Sequence, residues 1–451
     1  MGERTVESGV LLWEVELGAS ADADAAWDPG KYQRALVVGR LHGEAIGQVR
    51  VDLSGGRLTR TEVEGILRRE LSVETERHIR QDREASVSGG EPACAVLREK
   101  ALAAAPPLTV VIPTRDRPER LRRCLASVIG GSYPRDRLEI VVVDNASTTD
   151  ATKMVVEEFQ GTPKVRYLFE ARSGSASARN RALPEIRTEL VVFTDDDVRI
   201  DEHWLIEIVR GFWSDERVDV VSGLLLPSSL DTPAQVWFEE YGGFSRGFVR
   251  RVFDVQECWP LDEPLFPFSA GLFGTGNNMA FRTTALRSIG GFDPALGNGT
   301  PALGGVDSEV LLRSVLLGHR LVYQPTAIVY HEHRQDYEAL KRQVFSYGTG
   351  LSAYLLKTLW ANPKLVPLFL TLLPKGVAFE VDPRSTKNSR KGGAYPRALT
   401  LAELRGIAYG PLAYLRSRHA YGPHTAPKAV SEAARKPRPA RNAISGRSAS
   451  S

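Results

Sequence analysis

The chain has 451 residues, a formal net charge of +3 at pH 7, 42% hydrophobic and 25% charged residues. These near-average values exclude wholesale disorder and a polytopic membrane protein, and the length suits one large catalytic domain with appendages. So small a net charge predicts no nucleic-acid partner, although the local run Arg115, Arg117, Arg120, Arg122 and Arg123 is placed to meet phosphates.

Residues 1 to 20 carry Glu3, Glu7, Glu14 and Glu16 and lack a basic start followed by an apolar run, so no signal peptide is expected. Arg34 to Leu41 and Ala45 to Leu53, around His42-Gly43-Glu44, read as a hairpin. Leu67, Leu71, Val73 and Ile79 then follow a helical pattern between about 60 and 82, which predicts a small α+β module over residues 1–105, of unknown role. Polar Ser86 to Pro92 and the Ala/Pro stretch Ala101 to Pro107 set its boundary near residue 105. Cys94, Cys124 and Cys258 are far apart, match no metal-binding spacing and are too few for a disulfide framework, which fits a reducing cytoplasm.

From residue 106 strands alternate with helices. Leu108–Ile112 is a strand, and Asp116 before Pro118 reads as the N-cap of a helix reaching Ile129. Strand Leu138–Val143, helix Asp150–Phe159, strand Val165–Phe169, helix Ala176–Ile186, strand Leu190–Thr194, helix Glu202–Trp213 and strand Val218–Leu225 follow. The alternation predicts an α/β domain over 106–335: a mostly parallel sheet with helices on both faces and binding residues just after the strands. Ser308–Leu317 is apolar at helical spacing, Arg320–Tyr330 is extended, and Tyr337–Trp360 opens a helical extension over 336–423. Residues 424–451 read as a disordered basic tail.

The most apolar stretch, Leu365 to Leu373, is broken by Pro367 and bounded by Lys364 and Lys375, short of the ~20 residues that span a bilayer. Tyr347–Trp360 and Leu365–Phe379 are either a surface that lies peripherally on a membrane near a lipid-linked acceptor, or helices packed on the catalytic domain.

The chemistry concentrates where strand Leu190–Thr194 runs into Asp195-Asp196-Asp197. Carboxylates at a strand end either hold a hard divalent cation that neutralises phosphate oxygens or form a solvated turn capping the helix near Glu202.

Around this triplet the chain resembles the family 2 glycosyltransferases, the inverting group with the GT-A fold, over about residues 108–335. The resemblance rests on Val110 to Arg117, Val141 to Ser147, Gly174, Ala178 to Ala182, Phe193 to Asp197, Gly276 to Arg282, Gly290 to Asp293 and Gly304 to Glu309, in that order. It implies transfer of a sugar from a nucleotide-diphosphate donor to an acceptor that the sequence does not identify, assisted by Mn2+ or Mg2+. It implies donor contacts from Pro113, Thr114, Arg115, Asp144, Arg179, Asp195 and Asp196, and metal contacts from Asp195, Asp197 and His331; which of the three aspartates touches metal stays open, because the triplet allows two registers. Asp307 is the implied base that takes the acceptor proton; without the resemblance it reads as a helix N-cap. His333 and the aromatic residues Trp237, Phe238, Tyr241, Phe244 and Trp259 receive no role. Two departures stand out: Val306 where many relatives have Glu, and one extra residue in the loop Ser147–Asp150. The competing readings are a nucleotidyltransferase, for which no glycine-rich triphosphate loop follows the first strand, and a non-catalytic nucleotide-sugar-binding protein.

Overall fold

The computed structural model describes residues 9–18, 26–27, 30–56, 58–85, 92–257, 260, 262–392 and 394–424. The expectations for the first eight residues, Cys258, Trp259, the tail from residue 425 and all but Pro92 of the polar linker fall outside them.

The N-terminal part contains β1 (Leu11–Glu16), β2 (Ala26–Trp27), β3 (Arg34–Leu41), β4 (Glu44–Asp52), β5 (Leu58–Thr59), α1 (Arg60–Glu70), α2 (Ser72–Ala85) and α3 (Ala93–Ala103). β3 and β4 form the expected antiparallel hairpin, and β1 adds to β3 in parallel. α1 starts where Thr59 accepts from the Glu62 amide at 3.2 Å while the Glu62 carboxylate accepts from the Thr59 amide at 2.7 Å, which satisfies two otherwise unpaired donors. Val63 and Leu67 of α1 and Leu71 just beyond it pack on Val37, Leu41 and Ile46 of the hairpin.

The large sheet follows, with β6 (Leu108–Thr114), α4 (Pro118–Gly130), β7 (Leu138–Asn145), α5 (Ala151–Glu158), β8 (Lys164–Glu170), α6 (Ser175–Ala182), β9 (Leu190–Phe193), β10 (Val198–Ile200), α7 (Trp204–Trp213), β11 (Val218–Pro227), α8 (Pro233–Tyr241), β12 (Arg251–Phe253), β13 (Met279–Arg282), α9 (Thr283–Ser288), α10 (Val306–Leu316) and β14 (Arg320–His331). Alternate residues of the central strands serve two separate cores. Val110, Ile112, Ile140 and Val142 face one, whereas Val111, Val141 and Val143 face the other, so helices cover both sides.

The strand order is β10-β14-β11-β13-β9-β6-β7-β8, with β12 beside β14. β8, β7, β6 and β9 run parallel, as do β11 and β14. The sheet is nevertheless mixed rather than mostly parallel, because β13 enters antiparallel between β9 and β11, and β10 and β12 are antiparallel to β14. These reversals build the site. Met279 at the start of β13 pairs with Phe193 at the end of β9, so the residues before β13 lie beside those after β9. His331 at the end of β14 pairs with Val198, next to Asp197.

The expected cap at Asp116 and the alternative cap reading of Asp307 both differ from what is found. α4 begins after Arg117, while Asp116 sits at φ 51° and its carboxylate accepts from the Thr148 amide at 2.9 Å and the Thr148 hydroxyl at 3.1 Å. α10 is preceded by Gly305 at φ 81°, so Asp307 lies inside the first turn and is not an N-cap. Gly305 also meets the helix that carries Gly350: a Cβ there would lie 2.6 Å from the Gly350 carbonyl oxygen, a contact only glycine permits.

The C-terminal helices are α11 (Tyr337–Ala361), α12 (Val366–Val381) and α13 (Arg397–Tyr421). α11 and α13 pack at glycine contacts, with Ser352 donating to the Ile407 carbonyl at 2.7 Å, and α13 ties to the catalytic sheet through Ser417, which donates to the Ala295 carbonyl at 2.6 Å. α11 therefore covers the domain, whereas α12 buries only Leu368 and leaves Leu370, Leu373 and Val377 exposed. No helix among the described residues is long and apolar enough to cross a membrane.

Candidate active site

The carboxylates of Asp195, Asp196 and Asp197 follow β9 and diverge into different surroundings. Asp196 turns inward, accepting from Thr114 Oγ1 at 2.6 Å and from Arg117 Nη1 at 3.1 Å. Asp195 accepts from Arg179 Nη2 at 2.9 Å, and the same nitrogen reaches the Gly276 carbonyl at 3.4 Å. The Gly276 amide in turn donates to Asp307 Oδ2 at 2.9 Å. Asp195, Arg179, Gly276 and Asp307 thus form one continuous chain of contacts. A Cβ at Gly276 would lie 3.2 Å from both Arg179 Nη2 and Asp307 Cβ, so a larger residue there would press on both partners.

Asp197 faces the other way. Its Oδ1 is 3.5 Å from His331 Nε2, and its Oδ2 is 3.5, 3.8 and 3.9 Å from Arg117, Arg120 and Arg334. Burial alone would raise its pKa, but His331 and the three guanidinium groups hold it below the ordinary aspartate value. Asp195 is pushed the opposite way, up to about 6, by desolvation that Arg179 only partly offsets and by the neighbouring carboxylates. Asp196 is also raised, by burial and by Asp197. Environment thus separates three adjacent, chemically identical groups.

His331 is buried, and desolvation pushes its pKa down to about 4, so it is a neutral imidazole at pH 7. Its Nδ1 faces Nδ1 of His333 at 3.0 Å, and His333 Nε2 is 2.8 Å from Glu239 Oε1. One tautomer assignment satisfies both contacts: His333 donates to Glu239, His331 donates to His333, and the lone pair on His331 Nε2 is left toward Asp197. A neutral nitrogen and a carboxylate oxygen about 3–3.6 Å apart are spaced as two ligands of one divalent cation, so these residues fit a metal.

Asp144, the next-to-last residue of β7, lies opposite Thr114 of β6. Tyr167 donates to its Oδ2 at 2.9 Å, while its buried Oδ1 has no hydrogen-bond partner. A buried carboxylate oxygen without a donor carries a desolvation cost that a ligand hydroxyl or amide would relieve. Pro113 is half-buried beside Val143. Arg115 is exposed and donates to Ser173 Oγ at 2.8 Å, so it stands with the Ser173 loop rather than with the carboxylates.

Residues 109–290 match the model described as Glycosyl transferase family 2. This segment is a family 2 glycosyltransferase domain. The matched segment includes Asp144, Arg179, the aspartate triplet and Gly276, whereas Asp307 and His331 lie beyond it. The domain is similar to the Pre-mycofactocin glycosyltransferase of Mycobacterium tuberculosis, at 29% identity over 246 residues, 54% of this chain and 46% of that protein. It is also similar to Glycosyltransferase AglE of Haloferax volcanii, at 32% identity over 120 residues, 26% of this chain and 39% of that protein. The chain thus spans about half the length of the mycobacterial relative or less of the haloarchaeal one. Among solved structures it is similar to the mannosyltransferase PcManGT from Pyrobaculum calidifontis in complex with GDP-Man and Mn2+, at 20% identity and TM-score 0.44, over 70% of this chain and 86% of that one. The α/β, GT-A-type architecture is the one implied by the resemblance, with a small N-terminal sheet module attached.

The domain uses more residues around the site than the motifs announce. Arg117 and Arg120 of the basic run face the carboxylates, whereas Arg122 pairs with Glu119 and Glu158 on the surface. Arg334, His333 and Glu239 carry no motif, and only the fold brings Glu239 of α8 to His333. Two asparagines of the motif segments have framework tasks. Asn180 grips the Phe292 backbone through both its oxygen and its nitrogen, and Asn278 accepts from Trp204 Nε1 at 2.8 Å. Glu309, two residues after Asp307, binds Arg313 and Lys357, which anchors α10 to α11.

Proposed function

We propose that the chain is a metal-assisted glycosyltransferase that takes a sugar from a nucleotide-diphosphate donor and passes it to an acceptor hydroxyl with inversion. The observation that carries this reading is the unbroken contact path Asp195–Arg179–Gly276–Asp307, which links Asp307 through two intervening residues to the aspartates suited to hold a cation and diphosphate.

In this reading the nucleoside lies along Pro113, Thr114 and Asp144, whose free Oδ1 accepts a hydrogen bond from base or ribose. Arg179, Arg117 and Arg120 meet the diphosphate, and Arg115 borders its entrance. Asp195, Asp197 and His331 would hold the Mn2+ or Mg2+. Bound there, the cation neutralises charge on the departing diphosphate. Asp196 contributes by fixing Thr114 and Arg117. Asp307 Oδ2 is held by the Gly276 amide and Oδ1 by the Ser308 amide at 2.9 Å, so the carboxylate is oriented to take the acceptor proton as the oxygen attacks.

The divisions 1–105, 106–335, 336–423 and 424–451 serve as the working organisation, and we place the enzyme in the cytoplasm, where thiols such as Cys94 and Cys124 stay reduced. The exposed Leu370, Leu373 and Val377 of α12 suit peripheral contact with a bilayer that presents a lipid-linked acceptor. A hydrolysis screen over nucleotide sugars, with manganese or magnesium, tests the activity: release of nucleoside diphosphate from one donor is expected. Release of pyrophosphate from a nucleoside triphosphate instead would identify a nucleotidyltransferase.

A further inference from the structure

Four side chains far from the candidate active site converge in the N-terminal module: His42 in the turn of the β3–β4 hairpin, His78 and Asp82 one helical turn apart on α2, and Cys94 at the start of α3. The cysteine spacing alone gave no hint of this, because the partners come from three separate elements.

Their four ligand atoms define six separations. His42 Nδ1 is 3.3 Å from His78 Nε2, 2.9 Å from Asp82 Oδ2 and 3.5 Å from Cys94 Sγ. His78 Nε2 is 3.4 Å from Asp82 Oδ2 and 3.6 Å from Cys94 Sγ, and Cys94 Sγ is 3.3 Å from Asp82 Oδ2. Ligands bound to zinc at its usual bond lengths occupy the corners of a tetrahedron whose edges are about 3.3–3.7 Å. Five of the six edges fall at that length and the sixth is slightly short. A hydrogen bond joins one donor to one acceptor along a line, so pairwise bonding does not account for four atoms that all lie 2.9–3.6 Å from one another. A common centre does.

The surroundings are those of a ligand set. Asp82 Oδ1, the oxygen not facing the centre, accepts from the Cys94 amide at 2.8 Å. His78 Nδ1 lies 3.8 Å from Glu44 Oε2, and Glu44 Oε1 is fixed by Arg210 Nη1 at 2.6 Å. Such outer contacts orient carboxylate and imidazole ligands. His42 is held at φ 54°, in the left-handed region that non-glycine residues seldom occupy, which turns its ring toward α2. Cys94 and His78 are buried, and four protein ligands leave no position open for substrate.

We propose that His42, His78, Asp82 and Cys94 form a structural zinc site, closed and tetrahedral, that clips the hairpin to α2 and α3. Thiolate and imidazole ligands favour zinc over the oxygen-preferring Mg2+ or Mn2+ suited to Asp197, so the two sites sort their metals by ligand chemistry. The clip also braces the seam to the catalytic domain. Arg98 of α3 donates to the His42 carbonyl at 3.2 Å and to Glu207 of α7 at 3.0 Å, and Glu44, behind His78, shares Arg210 with Glu207. The zinc replaces loop freedom in a module whose apolar core is small.

The test is elemental analysis of the full chain purified without chelator, followed by cobalt substitution. About one zinc per chain is expected, lost in Cys94→Ser and Asp82→Asn but retained in Asp197→Ala. Cobalt in the zinc-stripped wild type should give a sulfur-to-cobalt charge-transfer band and the intense visible bands of tetrahedral coordination. Removing zinc should lower the melting temperature without changing which nucleotide sugar is hydrolysed. If Cys94→Ser does not fold, the wild-type zinc content and cobalt spectrum decide by themselves. Folded wild-type chain that carries no zinc and gives no charge-transfer band overturns the proposal, and so does zinc that disappears with Asp197→Ala while surviving Asp82→Asn. The proposal does not depend on the glycosyltransferase reading.

Discussion

His331 and His333 meet through their Nδ1 atoms at 3.0 Å, and His333 passes the contact on to Glu239 at 2.8 Å. The relay sets which nitrogen of His331 carries the proton, so under the proposed function His333 and Glu239 act as positioning residues for His331 as a metal ligand. His333→Ala and Glu239→Gln should each weaken manganese affinity by about 10–100-fold, the usual cost of losing an outer-sphere partner. Manganese titration calorimetry checks this, and wild-type affinity in both variants would remove the relay from the account.

Asp307→Asn keeps the Gly276 contact geometry but cannot take a proton. Transfer to acceptor should fall by about 10²–10⁴-fold, with donor affinity within a few-fold of wild type. A variant that loses donor binding instead would mark Asp307 as part of the donor pocket rather than the base.

Asp144→Ala removes the buried carboxylate oxygen without a donor that the proposed function assigns to the nucleoside. A hydrogen bond to a charged group contributes about 1.5–3 kcal/mol, so nucleoside diphosphate affinity should drop by roughly 10–100-fold. Equilibrium dialysis reads this directly; unchanged affinity would move the nucleoside elsewhere.

Glu309 is fully buried, and although burial alone would raise its pKa, Arg313 and Lys357 hold it down to about 2, below the ordinary glutamate value of about 4.5. A depressed folded pKa stabilises the fold above the unfolded value, and that contribution is lost as pH falls through the folded one. Wild type should therefore lose stability on acidification from about 4.5 toward about 2. Glu309→Gln should be less stable at pH 7 and show a flatter acid limb in chemical denaturation, because two cations are left buried without their anion. An acid limb as steep as wild type would show that other carboxylates dominate.

Leu370 and Leu373 are exposed one helical turn apart on α12. Replacing both with Glu should abolish co-sedimentation with anionic vesicles and leave hydrolysis of the soluble donor unchanged. Wild-type protein that fails to co-sediment would end the membrane reading.

Much of the central architecture was legible from residue pattern. Continuous β-branched runs such as Val110–Ile112 and Val141–Val143 can only be buried on both faces, and they lie where expected in β6 and β7. The acidic triplet was found because carboxylates at a strand end are conspicuous. Asp116 reads as a cap from sequence, and so does Asp307 when the resemblance is set aside, since Asp suits a helix start for local reasons; only tertiary contacts, Thr148 for one and Gly276 for the other, draw the two elsewhere.

Local chemistry, then, was written in the order of residues: which segments are strands, which helices, and where charge collects at their ends. What required the folded chain was adjacency. The antiparallel entry of β13 brings Gly276 to Asp195, the pairing of β14 with β10 brings His331 to Asp197, and three separate elements carry His42, His78, Asp82 and Cys94 to one point. Strand periodicity repeats every two residues and is visible locally, whereas register and direction are decided by how distant segments share a core, and no short stretch of sequence contains that information.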